Sequence, residues 1–199
     1  VFKKSIWDAG GTDTLDWSTG TTAANIDLDG GALSFFGGIT GVDDWDILFM
    51  TAGEGILGLA SDVVIENAIG GSGHDSLRGN TANNTLTGGS GNDLFIFDTL
   101  TGVDNITDFT SADDTLQFTL TDFTAFGLSG INPGSTISAS DLLIGTSITD
   151  ASSAGQNFLY DSDSSILYYD DDGVAGWAIQ VADLGTSVSL DHTDIVMIA

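Results

Sequence analysis

Three consecutive nine-residue units dominate what this chain can fold into. Residues 70–78 read GGSGHDSLR, residues 79–87 read GNTANNTLT, and residues 88–96 read GGSGNDLFI. The sixth position holds Asp75, Asn84 and Asp93; the eighth holds Leu77, Leu86 and Phe95. Six glycine-rich residues make a tight turn, because glycine adopts positive φ without a Cβ clash. The next three form a short strand whose middle residue, large and apolar in every unit, points inward. Two units complete one coil, so loops eighteen residues apart stack on the same edge. Stacked strands lie about 4.8 Å apart, which brings successive loops within reach of one ion. Asp75 and Asp93 then share an edge, and Asn84 falls on the opposite one.

The rest of the chain is read outward from these units. Residues 8–16, DAGGTDTLD, match the fourth, sixth and eighth positions through Gly11, Asp13 and Leu15. Residues 21–66 hold glycine-separated apolar segments, among them NIDL and VVIENAI, expected as further turns of the same body. Residues 39–60 fit no repeat. After Ile96 the turn FDTLTG has no aspartate in the sixth position, so the repeats are expected to stop there, with DNITDF and DDTLQF as closing strands. From about residue 120, NFLYD, ILYYD and WAIQVADL alternate apolar and polar residues, a pattern for antiparallel strands. The fold expected is all-β: a parallel β-roll over 1–118, then a C-terminal antiparallel β region over 119–199.

Charge is the second constraint. There are 29 acids, of which only Glu54 and Glu66 are glutamate, against the three bases Lys3, Lys4 and Arg78, for a formal charge of −26. Loops and metal sites favour Asp over Glu. Such an excess of like charge strains a compact state, and bound cations relieve it. Nucleic acid is excluded as a partner, because phosphate binding needs clustered Lys and Arg. No apolar stretch is long enough to span a bilayer; Ile47 to Ala60 is broken by Glu54. The chain has no cysteine, hence no disulfide or zinc-thiolate staple.

The nonad matches G-G-x-G-x-D-x-U-x, the calcium-binding repeat of parallel β-rolls. Calcium takes six to eight oxygens from carboxylates and carbonyls. A glycine-rich turn curls its carbonyls inward and the aspartate closes the site. The cofactor expected is Ca2+.

IWDAGGTDTLDWS, IENAIGGSGHD and GNTANNTLTGGSGND, in this order, resemble the C-terminal repeats-in-toxin domain of serralysin-type secreted metalloproteases. DNITDFTSADDTLQF and the YYDDDG region resemble it too. That resemblance implies one ion held by Gly71, Gly73 and Asp75 with Gly88, Ser90 and Asp93. It implies a second between Gly11 and Asp13 on one side and Val64 and Glu66 on the other. A third would use Asp8, Gly10 and Asp13, its remaining ligands coming in that family from a preceding segment. The resemblance further implies a secreted, extracellular protein. Its partners would be an upstream catalytic domain and a type I secretion apparatus that reads the terminal DHTDIVMIA.

No catalytic constellation is present. His74 and His192 are isolated, no HExxH occurs, and no G-x-S-x-G supports a serine triad. His74 occupies a variable loop position, expected to face solvent. Asp170 to Gly173 lack the register of an EF-hand. Trp7, Trp17, Trp45 and Trp177 are expected in packing before any carbohydrate platform. The function expected is a non-catalytic calcium-binding module of a secreted hydrolase. The alternative is the C-terminal repeat region of a secreted surface adhesin or ligand-binding protein, with an adhesive domain upstream.

Overall fold

The computed structural model describes residues 4–6, 10–37, 50–51, 54–119, 134–148, 156–170, 178–186 and 188–198. Six strands precede the nonads: β1 (Lys4–Ile6), β2 (Thr14–Asp16), β3 (Ala24–Asp27), β4 (Leu33–Gly37), β5 (Met50–Thr51) and β6 (Glu54–Leu59). The coil then runs through β7 (Asn67–Ile69), β8 (Ser76–Arg78), β9 (Thr85–Thr87), β10 (Leu94–Phe97), β11 (Asp104–Ile106) and β12 (Thr115–Thr119). Six more follow: β13 (Ser135–Thr136), β14 (Leu142–Gly145), β15 (Phe158–Asp161), β16 (Ile166–Tyr169), β17 (Ile179–Asp183) and β18 (Ile195–Ile198). Among the described residues the only helix is a single 3₁₀ turn, His192–Asp194. No helix among them is long and apolar enough to cross a membrane.

The strands form two sheets. One is ordered β1-β6-β4-β3-β8-β10-β12-β18-β13, with β5 beside β6; the other is ordered β14-β15-β16-β17-β11-β9-β7-β2. From β7 to β12 successive strands alternate between the sheets, which is the parallel β-roll the nine-residue period predicts. Leu77 pairs with Phe95, and Ala68 with Leu86, each eighteen residues on. These inward residues are fully buried and belong to one core shared by both sheets. Phe118 of one sheet and Phe158 of the other meet with ring centroids 4.9 Å apart.

The coil does not stop at Ile96. β11 stacks in parallel on β9, and β12 on β10. The linking loops have lengthened, yet Ile106 lands beside Leu86 and Leu116 beside Phe95. β17 and β18 extend the same parallel runs by pairing with β11 and β12. Antiparallel pairing occurs at both ends: β3-β4-β6 at one, β15-β16-β17 and β13-β18 at the other. Of residues 39–60, the strand β6 is described and runs antiparallel to β4; positions 39–49 lie outside the described residues.

Candidate metal centre

Parallel stacking turns the sixth loop position into two columns. On one edge stand Asp75, Asp93 and Asp114, each directly preceding its strand. On the other edge, two residues before the inward Leu15, Ala68, Leu86 and Ile106, stand Asp13, Glu66, Asn84 and Asp104. Asp75, Asp93, Asp104 and Asp114 are buried.

The columns are stitched through backbone N–H groups. Asp75 N donates to Asp93 Oδ1 at 2.8 Å, and Asp93 N to Asp114 Oδ1 at 2.9 Å. Asp75 itself accepts from Ala24 N through Oδ1 and from Gly71 N through Oδ2, both at 2.6 Å. Across the molecule, Asp13 N donates to Glu66 Oε2 at 2.8 Å and Asn84 N to Asp104 Oδ1 at 2.9 Å. Asp108 accepts from Gly88 N and Gly89 N at 2.9 and 2.8 Å.

Loops 70–75 and 88–93 stack so closely that only glycine fits between them. Ser90 N donates to Gly71 O at 2.9 Å. Gly89 and Gly91 have φ of +100° and +133°, and a Cβ on either would overlap the carbonyl oxygen of Gly71 or Gly73. A Cβ on Gly70 would overlap Gly88 O, and one on Gly88 would overlap Asp93 Oδ2. The structure therefore gathers Gly71, Gly73, Asp75, Gly88, Ser90 and Asp93 at one loop contact. It also joins Asp13 to Glu66, with Asp13 O accepting from Asn67 N at 3.0 Å. Gly11 lies beside Asp13, its Cβ position 3.6 Å from Asp13 Oδ2, while Val64 is exposed. Gly10 is exposed with φ of +94°. Asp8, Asp171, Asp172, Gly173, Trp7, Trp45 and Trp177 lie outside the described residues. His74 is exposed and its Nδ1 accepts Asn92 N at 2.7 Å, bridging the two stacked loops.

These carboxylates share little positive charge. Arg78 pairs with Asp27 and Asp98, away from both columns, and no Lys or Arg ion pair among the described residues reaches Asp75, Asp93, Asp104 or Asp114. Burial pushes the Asp93 carboxyl up to about 6, with Asp114, Asp75 and Asp108 adding to it against the Asp75 N–H. Burial pushes Asp104 up to about 7, partly offset by the Asn84 N–H. Asp114 is raised, mainly by burial. Among the described residues no three His, Cys, Asp or Glu side chains cluster by themselves. A cation here would need backbone carbonyls as well, and the glycine turns present them. Hard oxygen donors, closely apposed loops and carboxylates short of counter-charge fit calcium.

A pH dependence follows for the metal-free chain. An acid whose folded pKa is raised binds more protons folded than unfolded between its ordinary value, about 3.9, and the raised one. Stability therefore falls as pH rises through that window. In chelator the β signal in circular dichroism should be larger at pH 5.5 than at pH 7.5, with Asp104 and Asp93 as the groups responsible. A β signal that drops on this acidification contradicts the assignment.

Sequence reading missed Asp104, Asp108 and Asp114. The fixed count of nine loses phase after Ile96, because loop-to-loop spacing grows to 20 and 21 residues. The available signal was the recurrence of Asp just ahead of an alternating apolar strand, in DNI and DTLQF.

Fold and loops together define a class: a parallel β-roll whose turns are glycine-rich and whose edges carry stacked, buried carboxylates. The sequence profile of the peptidase M10 serralysin C-terminal family matches residues 1–132, and the chain belongs to that family. It is 39% identical over 82 residues to serralysin G of Dickeya chrysanthemi, covering 41% of this chain and 14% of that protein. It is 42% identical over 82 residues to a serralysin of Photorhabdus luminescens, with the same coverage. To a serralysin C of Dickeya chrysanthemi it is 46% identical over 73 residues, 37% of this chain and 12% of that protein. The chain thus matches about one seventh of the length of these relatives.

Proposed function

We propose that this chain is a calcium-dependent folding module of a secreted serralysin-like metalloprotease, non-catalytic itself, that becomes ordered outside the cell. The observation that carries the reading is the column Asp75–Asp93–Asp114, buried carboxylates on stacked loops with no basic partner among the described residues. Gly71, Gly73 and Asp75 with Gly88, Ser90 and Asp93 would hold one ion. Gly11, Asp13, Val64 and Glu66 would hold a second, and Asp8 and Gly10 with Asp13 contribute to a third. Asp104 and Asp114 extend the two columns and add oxygen donors to them.

The mechanism is linkage. Little free calcium inside the cell leaves the like-charged loops apart and the chain threadable through a type I exporter. Abundant calcium outside stabilises the folded roll by mass action. The terminal DHTDIVMIA would serve as the export signal. In the structure it begins with a capping box at Asp191 and Asp194 and runs into β18, at the growing end of the roll. The partner in the same polypeptide would be an upstream protease domain.

Single-site variants test this. Asp75→Ala and Asp93→Ala each remove a charged ligand, so the calcium midpoint for folding should rise several-fold. Asp163→Asn, on an exposed turn, removes the same charge away from the columns and should leave the midpoint in place. The measurement is circular dichroism against free calcium. Titrations of the two loop variants that overlay wild type and Asp163→Asn would refute the assignment.

A further inference from the structure

At the sixth loop position Asp75, Asp93, Asp114, Glu66 and Asp104 each accept a backbone N–H from the preceding coil, and Asn84 does not. At Asp75 and Asp114 one oxygen accepts the N–H four residues back, from Gly71 at 2.6 Å and Thr110 at 2.8 Å. The other oxygen accepts an N–H from the preceding coil, Ala24 or Asp93. Glu66 and Asp104 make this second kind of bond too, to Asp13 and Asn84. Asn84, 2% exposed, keeps the first bond: its Oδ1 accepts Asn80 N at 2.7 Å. Its other branch is an NH2 group and donates, to Ile65 O at 3.3 Å, Glu66 O at 3.2 Å and Asn80 Oδ1 at 3.2 Å. Asn80 adds its own Nδ2, donating to Ile65 O at 2.7 Å and to Leu28 O at 3.1 Å.

The orientation of Asn84 is fixed by these partners. Turned over, it would set its oxygen against the Ile65 and Glu66 carbonyls and its NH2 against the Asn80 N–H. As placed, two amide groups aim N–H dipoles into the space between loops 61–66 and 79–84. An amide nitrogen offers no lone pair to a hard cation, and its hydrogens repel one. We propose that this rung is closed by an Asn80–Asn84 amide staple in place of an ion, giving the roll one calcium-independent rung beside its calcium-dependent ones. The contrast rests on the calcium reading of the other loops, but the staple itself does not.

The test uses the full chain in saturating calcium, with bound ions counted by native mass spectrometry and stability read as the urea midpoint. Asn84→Ala should keep the wild-type ion count and lower the midpoint by roughly 1 M, the loss of a few buried hydrogen bonds. Asn80→Ala should keep the count and lower the midpoint less; it also serves if Asn84→Ala does not fold. One ion fewer in either variant, or an unchanged midpoint in both, overturns the proposal. Asp93→Ala separates the two readings: a full ion count in that variant counts against the calcium loops, while the midpoints of the asparagine variants still judge the staple.

Discussion

Moved from millimolar calcium into chelator at neutral pH, the chain should lose its β signal in circular dichroism and regain it when calcium is restored. The reason is the balance of two terms. A formal charge of −26 on 199 residues, with only three bases, works against any compact state. Bound ions act in the other direction. Each ion at a thousandfold excess over its dissociation constant adds about 4 kcal/mol. Two or three of them match the whole stability of an ordinary domain, roughly 5–15 kcal/mol. Sodium chloride at equal ionic strength screens exposed charges but cannot fill a loop site, so it should restore little. Equal β signal and equal melting temperature in chelator and calcium, or full rescue by sodium chloride, would refute the dependence.

Gly91→Ala should cost about 3 kcal/mol or more in saturating calcium, measured by urea denaturation. Two penalties combine there. Gly91 has φ of +133°, which a side chain rarely adopts, and its Cβ would overlap the Gly73 carbonyl and lie 2.8 Å from that carbonyl carbon. Both neighbours are backbone, so relief requires loop 88–93 to lift off loop 70–75, separating the groups that would share an ion. Gly134→Ala isolates the conformational part. Its φ is +81° and nothing lies within 4 Å of its Cβ position, so about 1 kcal/mol is expected. Equal losses at the two positions would mean that the loop stacking carries no special weight.

The parallel roll was legible because its rule is local. A turn of six and a strand of three fix which residues face inward, and Leu77, Leu86 and Phe95 are fully buried as that rule requires. The same count put Asp75 and Asp93 on one edge, where Asp75 N meets Asp93 Oδ1. What the count could not reach was any rung whose loop had changed length. Strand stacking depends on the inward residue finding its neighbour, not on a fixed spacing, so Ile106 and Leu116 stay in register while the period fails. Strand direction was equally hidden downstream. Alternation in ILYY and IQVAD marks a pleated, half-buried surface, but it does not distinguish the antiparallel β16-β17 contact from the parallel β11-β17 contact. Asn84 shows a subtler limit. Its neutrality was visible in the sequence, whereas the donors it aims at Ile65 and Glu66 depend on Asn80 four residues back.

The most direct measurement is anomalous scattering from crystals of this chain grown in millimolar calcium. The calcium reading predicts a peak between loops 70–75 and 88–93, with carboxylate and carbonyl oxygens of both loops at roughly 2.3–2.6 Å. Well-ordered loops without such a peak, and with Asp75 still accepting from Ala24 N and Gly71 N alone, would contradict it.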